Sequence, residues 1–241
     1  MSPPGLAQIW SLDIGLASAP ASEAPRAPNF DIWVVSNIFL NRVAANALAS
    51  ELKAIPLSET RLRDKGIIPL YAFVRNLVNI LKSSAHERGL AVPNIPEIPE
   101  DWSEEASNDS KALAAQFHPH MAEPARAVMN WNSRLYDRVT KPHWASVMAA
   151  HAVSLDLFLQ MAPSISAVRG GSEWVPYMAH MTSDEFKEIV GVINEELVRV
   201  RDQQVAAEDE SSAGSGWNED EAKGVVKEHL GNMVGIMSVG A

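Results

Sequence analysis

Cysteine is absent from this 241-residue chain, and so are long apolar runs. Without cysteine, neither a disulfide nor a thiolate metal site can hold the fold together, which fits a reducing, intracellular environment. No apolar run reaches the roughly 18 residues of a membrane span, and no basic segment followed by an apolar one marks a signal peptide. We therefore expect a globular protein with no membrane partner.

Catalytic and nucleotide-binding signatures are also absent. The chain has no Gly-x-x-x-x-Gly-Lys-Ser/Thr, no Gly-x-Gly-x-x-Gly and no Gly-x-Ser-x-Gly. The histidines at 118, 120, 143 and 151 are not spaced one helical turn apart, so they do not form a metal-ligand motif. We expect no enzyme, no cofactor and no metal site. An enzyme would need a pocket around Asp156.

The net charge of −10 is distributed unevenly along the chain. Residues 97–109 and 208–228 contain the acidic excess, whereas residues 31–91 are basic. The basic side chains there are Arg61, Arg63, Lys65, Arg75, Lys82 and Arg88. They form either a surface that faces a polyanion or an ordinary solvated helix face, and charge alone favours the second.

The spacing of apolar residues predicts an all-α fold with a single core of about seven helices over residues 36–206. A flexible N-terminal arm (1–35) precedes the core, and an acidic linker with an amphipathic helix (207–241) follows it. Ser36 is expected to cap a helix from Asn37 to about Leu52, and Pro69 and Gly89 mark the two ends of the next helix. Three further helices are predicted over Ser110–Phe117, from Pro124 to about Val139, and from Pro142 to about Met161, before Pro163. Thr182 with Glu185 forms a capping box at the start of another helix, and Asn218 with Glu221 caps the last one.

Two apolar patches interrupt the otherwise polar arm, at Ile9-Trp10 and at Leu12 to Leu16. Exposed tryptophan and leucine on such a segment indicate that it docks on another surface. The partner is either the same fold or a neighbouring subunit, and the sequence leaves both open.

Asp156 is the single formal charge between Lys141 and Arg169. Its helix reads as deeply buried, and a buried carboxylate is costly unless a cation or hydrogen-bond donors meet it. Because the two helices around Pro142 are expected to run antiparallel, Arg126 at the start of the first can approach Asp156 near the end of the second. We therefore predict a buried Arg126–Asp156 pair.

The order of several segments resembles the coat proteins of flexible filamentous plant viruses, of the potexvirus, carlavirus and potyvirus kind. The segments are Ser36-Asn37, Ala54-Ile-Pro-Leu-Ser-Glu59, Tyr71-Ala-Phe-Val-Arg-Asn-Leu77, Lys82-Ser-Ser-Ala85, Ala125-Arg-Ala-Val-Met-Asn130, Lys141-Pro-His-Trp144 and Ser154-Leu-Asp-Leu-Phe158. They cover roughly residues 36–165. The family's aromatic-Asp-aromatic pattern is changed here, because leucines flank Asp156.

The resemblance implies a virion subunit, made in the host cell cytoplasm, that polymerises helically around single-stranded RNA through its N-terminal arm. It implies an RNA-binding pocket in which Arg126 contacts phosphate, Asp156 positions that arginine, and Ser83 or Ser84 bonds nucleotide. Arg75 and Lys82 lie in the same matched segments and would add backbone contacts. Nucleoproteins of segmented negative-strand viruses remain a related possibility. The alternative is a cellular all-α protein-interaction module that binds no nucleic acid.

Overall fold

The computed structural model describes residues 5–10, 30–106, 108–121, 125–126, 129–130, 143–168, 172–209 and 217–237. All regular structure in these residues is helical, which confirms the predicted all-α class. The elements are α1 (Leu6–Ile9), α2 (Phe30–Ala54), a π-helical turn (Leu62–Ile67) that continues into α3 (Ile68–Glu87), α4 (Trp102–Glu105), α5 (Ser110–Phe117), α6 (Trp144–Val168), α7 (Val175–Met181), α8 (Asp184–Asp209) and α9 (Glu219–Met237), with 3₁₀ turns at His118–His120 and Ser172–Trp174.

Local capping signals place several helix ends where the sequence predicts them. Gly89 follows α3 with a φ of +66°, the left-handed conformation that glycine adopts without steric cost. The Asp109 carboxylate accepts from the amides of Lys111 and Ala112 at the start of α5. The Asn218 side chain accepts from the Glu221 amide at 3.0 Å and so caps α9.

The start of α2 differs from the prediction. The helix begins at Phe30 rather than after Ser36, and Ser36 lies inside it at 2% exposure. Phe30 and Trp33 pack against Trp174 with ring centroids 4.8 and 4.5 Å apart, so burial of these aromatic side chains extends the helix backwards. The packed helix α2 therefore begins six residues before Ser36.

Two other helix ends were predicted wrongly. The cap of α8 is Ser183, whose hydroxyl accepts from the Phe186 amide at 3.2 Å, whereas the Thr182 hydroxyl donates back to Met178. In addition, α6 continues through Pro163 to Val168 instead of ending near Met161. Of the predicted 124–139 helix, residues 125–126 and 129–130 are helical, and the rest lies outside the described residues.

Helix packing divides the core into an α2–α3 pair and an α6–α9 pair, with α8 contacting both α6 and the π-turn. Among the described helices, α2 alone is long and apolar enough to cross a bilayer, but 78% of its apolar window is buried inside the fold. It also carries the buried charged residues Arg42 and Glu51. Its apolarity is therefore that of a core helix.

A buried ion pair attaches the acidic segment around 97–109 to α2. Arg42, at 1% exposure, donates to both carboxylate oxygens of Glu105, which is fully buried, at 2.6 and 3.1 Å. Its Nε donates to the Pro96 carbonyl at 2.9 Å, and Asn46 donates to the Glu105 carbonyl. Glu105 is thus buried, although it belongs to an acidic segment. The two parallel hydrogen bonds fix the relative orientation of the Arg42 and Glu105 side chains and also pair their opposite charges.

Two histidines face each other where α9 packs on α6. The rings of His151 and His229 lie 5.5 Å apart in an edge-on arrangement, and His229 is 3% exposed. Burial lowers the pKa of His151 to about 4. Burial, and then the neighbouring His151, lower the pKa of His229 to about 3. Both rings are therefore neutral near neutral pH.

Candidate functional site

The N-terminal segment Gly5–Trp10 lies in a slot on the surface of α6 and α8, which we call the arm slot. Leu6 is fully buried there, and Gln8 faces solvent. A Cβ atom on Gly5 would lie 3.1 Å from Asn194 Oδ1 and 3.6 Å from Asp156 Oδ2. The close approach of Gly5 thus brings the segment against one side chain of α8 and one of α6.

Trp10 closes the other end of the arm slot. Its ring packs both on the main core and on a smaller cluster formed by Ala145, Val200, Trp217 and Ala222. The Lys223 ammonium lies 6.0 Å from the ring centroid. The segment therefore bridges the C-terminal helix and the core. The apolar patch at Ile9-Trp10 docks on its own fold, one of the two outcomes left open by the sequence.

Two polar atoms in the arm slot are buried without a hydrogen-bond partner among the described residues. They are Trp10 Nε1 and Asn194 Oδ1. A buried polar atom without a partner costs about 1–3 kcal/mol, so these two reduce what the apolar contacts of Leu6 contribute. The docked arm is therefore less stable than the area of its buried apolar surface alone would predict.

Asp156 is half-buried rather than deeply buried, and its partner among the described residues is an amide rather than a cation. Gln160, one turn later on α6, donates to its Oδ2 at 3.0 Å. Burial raises the pKa of Asp156, and the bond from Gln160 opposes that shift. No hydrogen bond or ion pair among the described residues joins Asp156 to Arg126, so the predicted buried pair is wrong. Asp156 instead lies under Gly5 in the arm slot.

Replacing Asp156 with asparagine is expected to leave stability unchanged or to increase it at pH 7. A raised folded-state pKa means that the folded protein favours the neutral carboxyl, so ionisation destabilises it as pH rises past the ordinary aspartate pKa. The difference in unfolding free energy between D156N and wild type should therefore grow from pH 3 to pH 6. Denaturant titrations at these pH values measure it. Destabilisation by D156N at pH 7 would show that a cation pairs with this carboxylate.

The remaining residues of the predicted pocket lie on elements other than α6. Lys82, Ser83 and Ser84 lie in the last turns of α3, with Ser83 exposed and the other two half-buried. Arg126 is half-buried, in a stretch described only in part. None of the described hydrogen bonds joins Ser83 or Ser84 to Asp156.

Carboxylates of the same chain pair with three of the six side chains of the predicted basic surface. Arg61 binds Glu195 and Glu196 at 2.7 and 2.6 Å, Arg88 binds Asp31 at 2.5 Å, and Arg75 lies 3.5 Å from Glu100. Arg63 donates to the Leu52 and Ile55 carbonyls at the end of α2. These contacts are expected for a solvated helix face, so charge count alone overstated the cationic surface.

Comparisons with known proteins identify no relative, because no family model, curated protein or solved structure matches the chain. Within the described residues, no group of three or more His, Asp or Glu side chains is placed to hold a metal ion. The resemblance to filamentous coat proteins therefore stays a prediction. The arm slot is the candidate functional site that the structure adds, and its sequence signals were the patch at Ile9-Trp10 and the isolated charge of Asp156.

Proposed function

We propose that the chain is the structural subunit of a helical assembly, a coat protein or nucleoprotein, which polymerises through its N-terminal arm around single-stranded RNA. The observation that carries this proposal is the arm slot. A short segment with one fully buried leucine occupies a site on the core, and a long connection separates it from that core.

The length of that connection supports exchange of arms between subunits. Residues 11–29 join Trp10 to Phe30. A connection of that length spans at most roughly 65 Å when extended, more than the diameter of a domain of this size. The arm of one subunit can therefore reach the slot of the next and make there the contacts that it makes in its own. Exchange of an identical segment between subunits requires little free energy. If each subunit docks its arm in the slot of the next subunit, the result is an open polymer.

The RNA-binding part of the proposal rests on the residues that the resemblance identifies, with one change. Arg126 and Lys82 keep their proposed roles as phosphate contacts, and Ser83 or Ser84 keeps its proposed hydrogen bond to nucleotide. Arg75 can exchange its 3.5 Å pairing with the exposed Glu100 for a phosphate. Asp156 is reassigned from positioning Arg126 to lining the arm slot. A few phosphate contacts per subunit are enough for binding, because the subunits of a polymer all contact the same RNA strand and their contributions add.

Replacing Leu6 with aspartate tests the proposal. A fully buried leucine contributes about 1.5–3 kcal/mol to docking, so L6D should leave the arm undocked from its own slot and from a neighbour's, and should prevent assembly at the concentration at which the wild type polymerises. Light scattering across a dilution series measures this concentration. The core should remain folded, because Leu6 lies outside the α2–α3 and α6–α9 pairs.

The matched control is Gln8→Asp, which adds the same charge to the same short helix at an exposed position. Q8D should assemble close to the wild-type concentration. If L6D and Q8D assembled alike, the arm slot would have no part in polymerisation.

One observation favours a second function, the protein-interaction module without nucleic acid. Carboxylates of the same chain already pair with Arg61, Arg75 and Arg88, three of the six basic side chains, which reduces what this surface offers a polyanion. Such a module would form a monomer or a small closed oligomer with protein-like ultraviolet absorbance. The same light-scattering series separates it from an open polymer.

A further inference from the structure

The Trp10 end of the arm slot includes the start of the C-terminal helix α9. The Trp10 ring packs on the cluster formed by Ala145, Val200, Trp217 and Ala222, which belong to α6, α8 and the first residues at α9. Trp217 and Ala222 are buried, and so is Trp10 Nε1. An arm that enters or leaves the slot must therefore separate the Trp10 ring from the start of α9.

Three features make the start of α9 easy to open. Gly224 is an exposed glycine inside the helix, where glycine lowers helix stability relative to alanine, and a Cβ atom there would meet no described neighbour within 4 Å. Arg201 of α8 donates to Glu219 at 3.0 Å, but both side chains are partly exposed, so solvent screens the pair. Trp217 Nε1 is buried without a hydrogen-bond partner among the described residues, and water would supply one in an open state.

The rest of α9 is held more firmly on the core. Val226 and His229 are buried, and α9 with α6 forms one of the two main helix pairs. Local unfolding starts in the parts of a fold that bury the least surface and leaves the better packed parts in place. Opening is therefore expected in the turns of α9 before Val226, which include both Glu219 and Gly224.

We propose that the turns of α9 before Val226 form a gate on the arm slot, which unfolds locally to admit or release an arm and refolds over its Trp10 ring. The gate rests on the proposed exchange of arms between subunits and adds a control to it. A subunit keeps its own arm docked until the gate opens. The gate then sets the rate at which arms exchange, whereas buried contacts such as that of Leu6 set how strongly an arm binds.

The test is the binding of a synthetic peptide of residues 1–12, labelled with fluorescein at its C-terminal end, to the whole 241-residue L6D chain. L6D is expected to leave the slot free of its own arm, so that the peptide can occupy it. Stopped-flow fluorescence anisotropy gives the association and dissociation rates of the peptide.

Two added substitutions shift the gate in opposite directions. Gly224→Ala favours the helical, closed start of α9 and should slow both association and dissociation roughly two- to fivefold. Arg201→Gln removes the bond to Glu219 and should speed up both by a similar factor. The affinity should stay the same within about twofold, because the gate is closed over the empty slot as well as over the occupied one.

The matched control is Asn79→Ala, which also raises helix propensity at an exposed position, but on α3. N79A should leave both rates unchanged. If G224A and R201Q left the rates unchanged, or if G224A slowed dissociation alone, α9 would be a fixed wall of the slot and the gate would be wrong, while docking of the arm would stand. If the peptide did not bind the L6D chain at all, the proposed exchange of arms would fail together with the gate.

Discussion

Glu105→Ala is expected to lower the free energy of unfolding by about 3–5 kcal/mol, because it leaves the Arg42 guanidinium buried without its counter-charge. Arg42 is 1% exposed and Glu105 fully buried, so water cannot replace the lost carboxylate. The variant also removes the acceptor to which Asn108 donates at 3.2 Å. Urea unfolding followed by far-ultraviolet circular dichroism measures the change.

Two further variants separate the ion pair from other effects of the substitution. Glu97→Ala, at an exposed position in the same acidic segment, should change stability by less than about 0.5 kcal/mol. The double variant Arg42→Met/Glu105→Leu should recover most of the loss, since an apolar pair of similar volume often matches a buried ion pair. A loss below about 1 kcal/mol in E105A would show that the acidic segment does not depend on this pair.

Acidification is expected to destabilise the chain between pH 6.5 and pH 5, above the range in which exposed carboxylates titrate. Folding holds His151 and His229 neutral, with pKa values of about 4 and about 3, whereas the unfolded histidines take up protons near pH 6.5. A depressed histidine pKa gives stability that is complete above pH 6.5 and is lost as pH falls towards the folded value. Each ring contributes up to about 1.4 kcal/mol per pH unit.

The pH dependence can be assigned to the pair by substitution. His229→Gln should reduce the slope of unfolding free energy against pH between 6.5 and 5 without abolishing it, because burial also lowers the pKa of His151 and of His143. His86→Gln, at an exposed position near the end of α3, should leave the slope unchanged. An unaltered slope in H229Q would show that the buried rings are not the source.

Helix ends encoded by neighbouring residues were predictable from sequence, whereas those that depend on tertiary packing were not. Asp109, Gly89 and Asn218 act within three or four positions of themselves, so their effect is visible in a short window. The early start of α2 depends on Phe30 and Trp33 packing against Trp174, more than 140 positions away. No local pattern shows such a contact.

The candidate site was predicted only in part, for the same reason. Asp156 was identified from its isolation in an apolar stretch, but its position under Gly5 and beside Asn194 depends on how α1, α6 and α8 meet. The Arg42–Glu105 pair joins positions 63 residues apart. Glu105 stands in a run of acids that looks solvated in sequence, so its burial could not be inferred without the fold.

Assembly around RNA is the central claim, and negative-stain electron microscopy of the purified chain tests it most directly, with the 260/280 nm absorbance ratio recorded on the same sample. Flexible filaments with a nucleic-acid-like ratio are the expected result, and nuclease digestion of the disrupted filaments should remove the excess absorbance. Small discrete particles with a protein-like ratio, at concentrations above those at which light scattering detects the wild-type polymer, would contradict the claim and favour the interaction module.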